Sequence, residues 1–126
     1  MIAFLDTSVL IRFEKNFHRL RTLGKVRVPA IALAEYVRGI EGATHLRAKN
    51  RAKRFMARQI LPLGIVDFNT EAALAWASLA EAMTKAGLTM KFGDSLIAAQ
   101  CLAANASIVT ADNDFERVPG LKVIRI

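Results

Sequence analysis

Five carboxylates stand out in a chain that carries 18 Lys+Arg against 11 Asp+Glu, for a net charge of +7. Asp6 closes the apolar run "IAFL", Glu35 lies inside "PAIALAEYVRGI", Asp94 opens "GDSLIAAQ", and Asp112 and Asp114 follow "SIVT". Each has an ordinary alternative. Asp6 and Asp94 could cap helices, Glu35 could pair with Arg38 one turn on, and Asp112 and Asp114 suit the bend after a strand. Five acids aimed at one edge have a simpler common cause, a hard divalent cation. Two carboxylates about 5 Å apart repel by roughly 3 kcal/mol at an effective dielectric near 20, so such a group takes up protons or requires a positive charge. Oxygen ligands without His or Cys favour Mg²⁺ or Mn²⁺ over zinc. His18 and His45 sit in basic segments without a partner at ligand spacing. A cation so held polarises a phosphate and lowers the pKa of bound water for in-line hydrolysis. A basic chain around an acidic pit suits a nuclease, since surface cations hold a phosphate backbone while the pit cuts it.

The elements that must position these acids alternate in type. "IAFLD" (Ile2 to Asp6) reads as a buried strand, with Thr7 and Ser8 as N-cap candidates for the helix "SVLIRFEK". "VRV" is a short strand, and Pro29 suits the first turn of the helix that carries Glu35. A basic amphipathic segment runs from about Thr44 to Leu61, and "GIVDF" is another strand candidate. Asn69 or Thr70 caps an alanine-rich helix from Glu71 to about Lys85, with Trp76, Ala80 and Met83 on its expected core face. Gly93 and Asp94 begin a helix through Ala104, followed by the strands "SIVT" and "KVIRI". This alternation predicts an α/β fold with a mainly parallel sheet, in which sites form outside the carboxyl ends of the strands.

Composition sets the bounds. The 126 residues fit one domain (1–126) with an ordinary core, and an apolar fraction of 53% argues against disorder. No apolar run is long enough to cross a bilayer, and "MIAFL" lacks the basic n-region of a signal peptide. The lone Cys101, in "LIAAQCLAA", reads as a buried structural thiol. A cytoplasmic protein without a membrane partner is expected.

"FLDTSVLI", "LAEYVRG", "GDSLIAAQCLAANASIVTADNDF" and "VPGLKVI" occur in order over essentially the whole chain, which resembles the PIN-domain family and its VapC toxins. The resemblance implies a three-layer α/β/α sandwich and an endoribonuclease dependent on Mg²⁺ or Mn²⁺. Asp6, Glu35, Asp94 and Asp112 match the family's acidic quartet, and Asp114 an additional acid found in some members. The choice between Asp112 and Asp114 as fourth ligand stays open. Thr110 matches a supporting Ser/Thr, and Thr7 is a second supporting hydroxyl. Asp6 and Asp94 are the expected direct metal contacts; Glu35 and Asp112 are left to bind through water, hold a second ion or orient the attacking water. The resemblance also implies a small cognate antitoxin whose C-terminal segment crosses the groove, a homodimer, and a toxin–antitoxin hetero-oligomer.

One charged segment lies outside this set. "HLRAKNRAKRFMAR" holds six cations and no acid, and Arg47, Arg51, Arg54 and Arg58 form one stripe at helical spacing beside Ala48, Ala52 and Phe55. The stripe is either a solvated outer face or a track for RNA phosphates. Lys91, three residues before Asp94, is a second candidate for placing a phosphate. Competing readings are a phospho-acceptor receiver domain, which lacks its acidic pair here because Thr7 follows Asp6, and a non-catalytic basic RNA- or antitoxin-binding module. A nuclease for RNA processing or DNA cleavage outside a toxin–antitoxin pair is a further alternative.

Overall fold

The central strand, β1 (Ile2–Leu5), is apolar on both faces because both faces are covered. Ala3, Phe4 and Leu5 are at most 2% exposed in the computed structural model, which describes residues 2–126. Its neighbours are β2 (Lys25–Pro29) and β4 (Ser107–Thr110), with β3 (Ile65–Val66) and β5 (Val123–Arg125) at the edges. The order is β3-β2-β1-β4-β5, and every pairing is parallel. Parallel strands need crossover connections, so helices must flank the sheet and bury both its faces. This is the layered α/β architecture that the alternation of elements predicts.

The helices are α1 (Thr7–Ile11), α2 (Phe13–Arg21), α3 (Ala30–Glu41), α4 (Leu46–Phe55), α5 (Thr70–Lys85) and α6 (Phe92–Ala104). Asn69 caps α5 by accepting the Ala72 N–H at 2.9 Å, as its position before the alanine-rich run requires. α6 packs against α5 and presents Ile97, Ala98 and Cys101 to the core, so Cys101 is a buried free thiol. No helix among the described residues is long and apolar enough to cross a membrane.

Three details differ from expectation. The basic segment is not one α-helix. It passes from α4 into a π turn over Met56–Ile60 and a 3-10 turn over Leu61–Leu63. Pro62 has no N–H to return to the Arg58 carbonyl, so α register cannot continue through it, and the widened turn instead drives Ile60 fully into the core. On α5, Leu79 and Met83 are buried but Trp76 and Ala80 are only partly covered. The indole's polar edge turns to Ser95 rather than to the core. In "GIVDF" only Ile65 and Val66 pair as a strand.

The connectivity fixes where a crevice opens. From β1 the chain moves to β2 and β3 on one side, and later reaches β4 and β5 on the other. The carboxyl ends of β1 and β4 therefore flank the point where the strand order reverses, the usual ligand position in open α/β sheets.

Candidate active site

Leu5 stands opposite Val109 in the parallel register, and the Asp6 N–H donates to the Val109 carbonyl at 2.9 Å. That alignment brings the residues following both partners, Asp6 and Thr110, side by side at the crevice. Both side chains are buried, Asp6 at 1% exposure and Thr110 at 0%. The Thr110 hydroxyl donates to Asp6 Oδ2 at 2.9 Å, and the Ser8 hydroxyl donates to the same oxygen at 2.8 Å. Asp6 occupies the N-cap position of α1, yet its carboxylate makes no capping bond. Oδ1 is buried without any hydrogen-bond partner. An orphaned carboxylate oxygen in the interior costs several kcal/mol unless a cation or donor completes it.

The remaining acids gather around this one. Glu35, exposed on α3, accepts a hydrogen bond from the Thr7 hydroxyl at 2.7 Å. It does not pair with Arg38. Gly93 opens α6 against it, since a Cβ there would lie 2.7 Å from Glu35 Oε2. Asp94, next in the chain, is half-buried, and its pKa is pushed up to about 6. Burial is the largest cause, followed by the negative charges of Asp6 and Glu35; Lys91 pulls it down and Asp114 adds a further upward push. Burial likewise raises Asp6, opposed by the Ser8 and Thr110 hydroxyls and the Thr7 amide, while the charge of Asp112 raises it further. All five acids are thus within electrostatic reach of Asp6 or Asp94.

The two aspartates after β4 have different surroundings. The Asp112 N–H donates to Thr110 Oγ1 at 3.0 Å, tying the start of the loop to the crevice, and its side chain is exposed. Asp114 begins a 3-10 turn and lies 3.7 Å from Arg117, so part of its charge is already answered.

These acids influence one another without closing into a cage. Among the described residues, no three His, Cys, Asp or Glu side chains are grouped as a ready-made chelate. The arrangement nonetheless fits Mg²⁺ or Mn²⁺. Mg²⁺ keeps several waters and is held by one or two carboxylates together with substrate phosphates, so a tight protein cage is not what it requires. The orphaned Asp6 Oδ1, the raised Asp94 and the all-oxygen donor set match that demand.

Residues 3–121 match the PIN domain family. The chain belongs to that family. Among its relatives are ribonuclease VapC4 of Mycobacterium tuberculosis, 34% identical over 128 residues, with 98% of this chain and 96% of the relative covered. Ribonuclease VapC2 of Rickettsia felis is 27% identical over 132 residues, covering 96% and 95%. The solved structure of VapBC-1 from nontypeable Haemophilus influenzae is similar at 25% identity with a TM-score of 0.81, covering 99% of this chain and 98% of that one.

Beyond the acids, this PIN domain places Lys91 as the exposed N-cap of α6, close enough for Asp94 to feel its charge. Arg47, Arg51, Arg54 and Arg58 are all exposed, and the last three line a shallow recess with Phe55 and Gln59. Two residues of the crevice go beyond the roles read from sequence. Ser8 reads there as a helix cap, but its hydroxyl joins β1 to β4 by donating to Asp6 and accepting the Ala111 N–H at 3.1 Å. Gly93 reads as a helix start, although a glycine inside a helix end is itself a signal of close approach.

Proposed function

We propose that this PIN domain is an endoribonuclease dependent on Mg²⁺ or Mn²⁺ and acts in the cytoplasm as the toxin of a toxin–antitoxin pair. The observation that carries the metal-site reading is the buried, unpartnered Asp6 Oδ1, with four further acids that act electrostatically on Asp6 or on Asp94 or are Asp94 itself, in a basic protein. The resemblance to ribonuclease VapC4 of Mycobacterium tuberculosis supports RNA as the substrate.

Asp6 and Asp94 hold the ion directly. When bound, it supplies Lewis-acid polarisation of the phosphate and lowers the pKa of a coordinated water. Ser8 and Thr110 occupy Asp6 Oδ2 and so leave Oδ1 free for the ion. Thr7 fixes Glu35 through Oε1, leaving Oε2 to accept from the attacking water and orient it. Asp112 and Asp114, in the segment after β4, act through water. Lys91 and the Arg47–Arg51–Arg54–Arg58 stripe hold the phosphates on either side of the cut.

The antitoxin reading has a surface to match. A groove of about 550 Å³ runs between α1 and α4, lined by Leu10, Phe13, Tyr36 and Phe55 and by three cations, Arg12, Lys15 and Arg51, against one acid, Glu14. Ile11, at its edge, is 69% exposed. An amphipathic segment with an apolar face and acidic flanks fits this groove. It would end one helical turn from Thr7, where a basic side chain can enter the acidic pit. The VapBC-1 relative supports such a pairing, and assembly of two copies of the toxin is part of the same proposal.

The test is cleavage of total cellular RNA with Mg²⁺ or Mn²⁺ by the native protein and by Asp6→Ala and Asp94→Ala. Cutting that disappears in both variants and with EDTA supports the assignment. Equal cutting by all three proteins overturns it.

A further inference from the structure

Phe92 is the first residue of α6, two positions before Asp94, and it is 66% exposed. The ring is nevertheless held. Trp76 of α5 meets it edge to face, with centroids 5.8 Å apart and planes at 85°. Trp76 is fixed in turn, because its indole Nε1–H donates to Ser95 Oγ at 2.9 Å and that hydroxyl donates to the Phe92 carbonyl at 2.6 Å. An edge-to-face pair leaves ring surface open, and here it opens to solvent.

The flanks say what such a ring can meet. Lys91 precedes it with an exposed ammonium, and Gly93 follows it against Glu35. Lys91, Phe92 and Asp94 therefore share the start of one helix, a cation and an open aromatic face just ahead of a carboxylate. A phosphate for Lys91 and a flat π surface for Phe92 are features that a nucleotide supplies together. In an RNA duplex the bases are already stacked, so only an unpaired base can use the ring.

We propose that Phe92, buttressed by Trp76, is the stacking platform for one unpaired base beside the cleaved phosphate, and that Lys91 takes the phosphate next to it. The proposal rests on the ribonuclease reading above and deepens it by naming the residues that seat the substrate.

The test uses the full chain and a mixed-sequence single-stranded oligoribonucleotide carrying 2-aminopurine at successive positions. Binding is measured in EDTA and cleavage with Mn²⁺. Phe92→Ala raises KM about 10-fold, the range of one lost base stack, while kcat stays within about twofold. It also abolishes the quenching of 2-aminopurine at one position. Phe92→Trp and Phe92→Tyr retain both properties; Phe92→Leu, apolar but without a π face, behaves like alanine. Mn²⁺ affinity is the same in every variant. A leucine variant equal to the native protein overturns the proposal, as does an alanine variant with unchanged KM and quenching. Loss of an oligomer in Phe92→Ala also overturns it, by making the patch a contact between copies of this chain. Asp94→Asn keeps the two claims apart. If it cuts RNA normally, the ribonuclease reading fails; if it is inactive while Phe92→Ala is native-like, only the stacking platform fails.

Discussion

The acidic pit and the basic helix α4 are the two charged regions of this PIN domain, and they are built in opposite ways. The pit collects side chains from the end of β1, the middle of α3, the start of α6 and the loop after β4. Its central bond joins residues 104 positions apart and is completely shielded from water. α4 draws all its charge from ten consecutive residues, buries none of them, and ties Lys49 and Lys53 to Glu41 on the neighbouring helix. A charge placed by its neighbours in sequence stays in water and costs little to keep. One placed by the fold loses water and must be answered, which is why the pit, not the helix, holds an orphaned oxygen and a carboxyl displaced to about 6.

Substitutions can break this contrast, and the largest effect belongs to the pit. Asp94→Asn keeps the shape of the side chain and removes its charge. Metal-dependent cleavage is expected to fall on the order of 100-fold or more, the usual cost of losing one group that stabilises developing charge. Circular dichroism and thermal melting check that the fold survives.

Next comes a pair of glycines on helices that meet at Glu35. In Gly93→Ala the new methyl collides with Glu35 Oε2, the end of a flexible side chain, so Glu35 gives way and the helix remains. Cleavage should drop about 10-fold while stability holds or rises by up to about 1 kcal/mol, as glycine-to-alanine changes in helices do. Gly39→Ala meets open space and should raise stability without changing cleavage. Equal activity in the two variants would detach Glu35 from the site.

The helix is tested by charge reversal. Arg47→Glu, Arg51→Glu and Arg54→Glu together should weaken RNA binding and flatten its logarithmic salt dependence by about 2 units, as expected when three single-strand phosphate contacts are lost. Metal affinity, measured by Mn²⁺ titration, should not move. An unchanged salt slope would reduce the stripe to a solvated surface.

The smallest effect is on stability against pH. Asp94 holds its proton longer in the fold than in the unfolded chain, because its pKa is raised from 3.8 to about 6. The folded state binds more protons across that interval, so the metal-free protein loses stability as pH rises through it. Asp94→Asn should remove this decline and melt a few degrees above the native metal-free protein at neutral pH, at roughly 4 °C per kcal/mol for a domain of this size. Mg²⁺ or Mn²⁺ should raise the native melting temperature more above pH 6 than below 4. A flat profile in the native protein would contradict the burial, and the smaller repulsion from Asp6 and Glu35, that raise Asp94.

Much of this was legible before any coordinates. Strand ends followed by Asp6 and Asp112, the first-turn Asp94, and Glu35 inside an apolar helix mark the acids as candidates, and the resemblance to the PIN-domain quartet groups them. The α/β architecture follows from the alternation of short apolar runs and helices. The breakdown of the basic helix at Met56 was signalled by Pro62, but the turn geometry that absorbs it depends on burying Ile60. Trp76 was misplaced for a similar reason. Helical spacing assigned it to the core with Met83, whereas its N–H needs a partner, and Ser95 on the next helix supplies one.

The sequence by itself determined which acids are candidates for the site and which elements hold them, because hydrophobic period, turn residues and helix caps are local properties. Only the tertiary structure decided that β1 and β4 lie side by side with Leu5 against Val109. That register sets Asp6 beside Thr110, lets Ser8 span the two strands, and leaves one carboxylate oxygen buried without a partner. Strand order and burial arise from contacts between distant segments, and a carboxylate's affinity for a cation depends on how far those contacts have removed it from water.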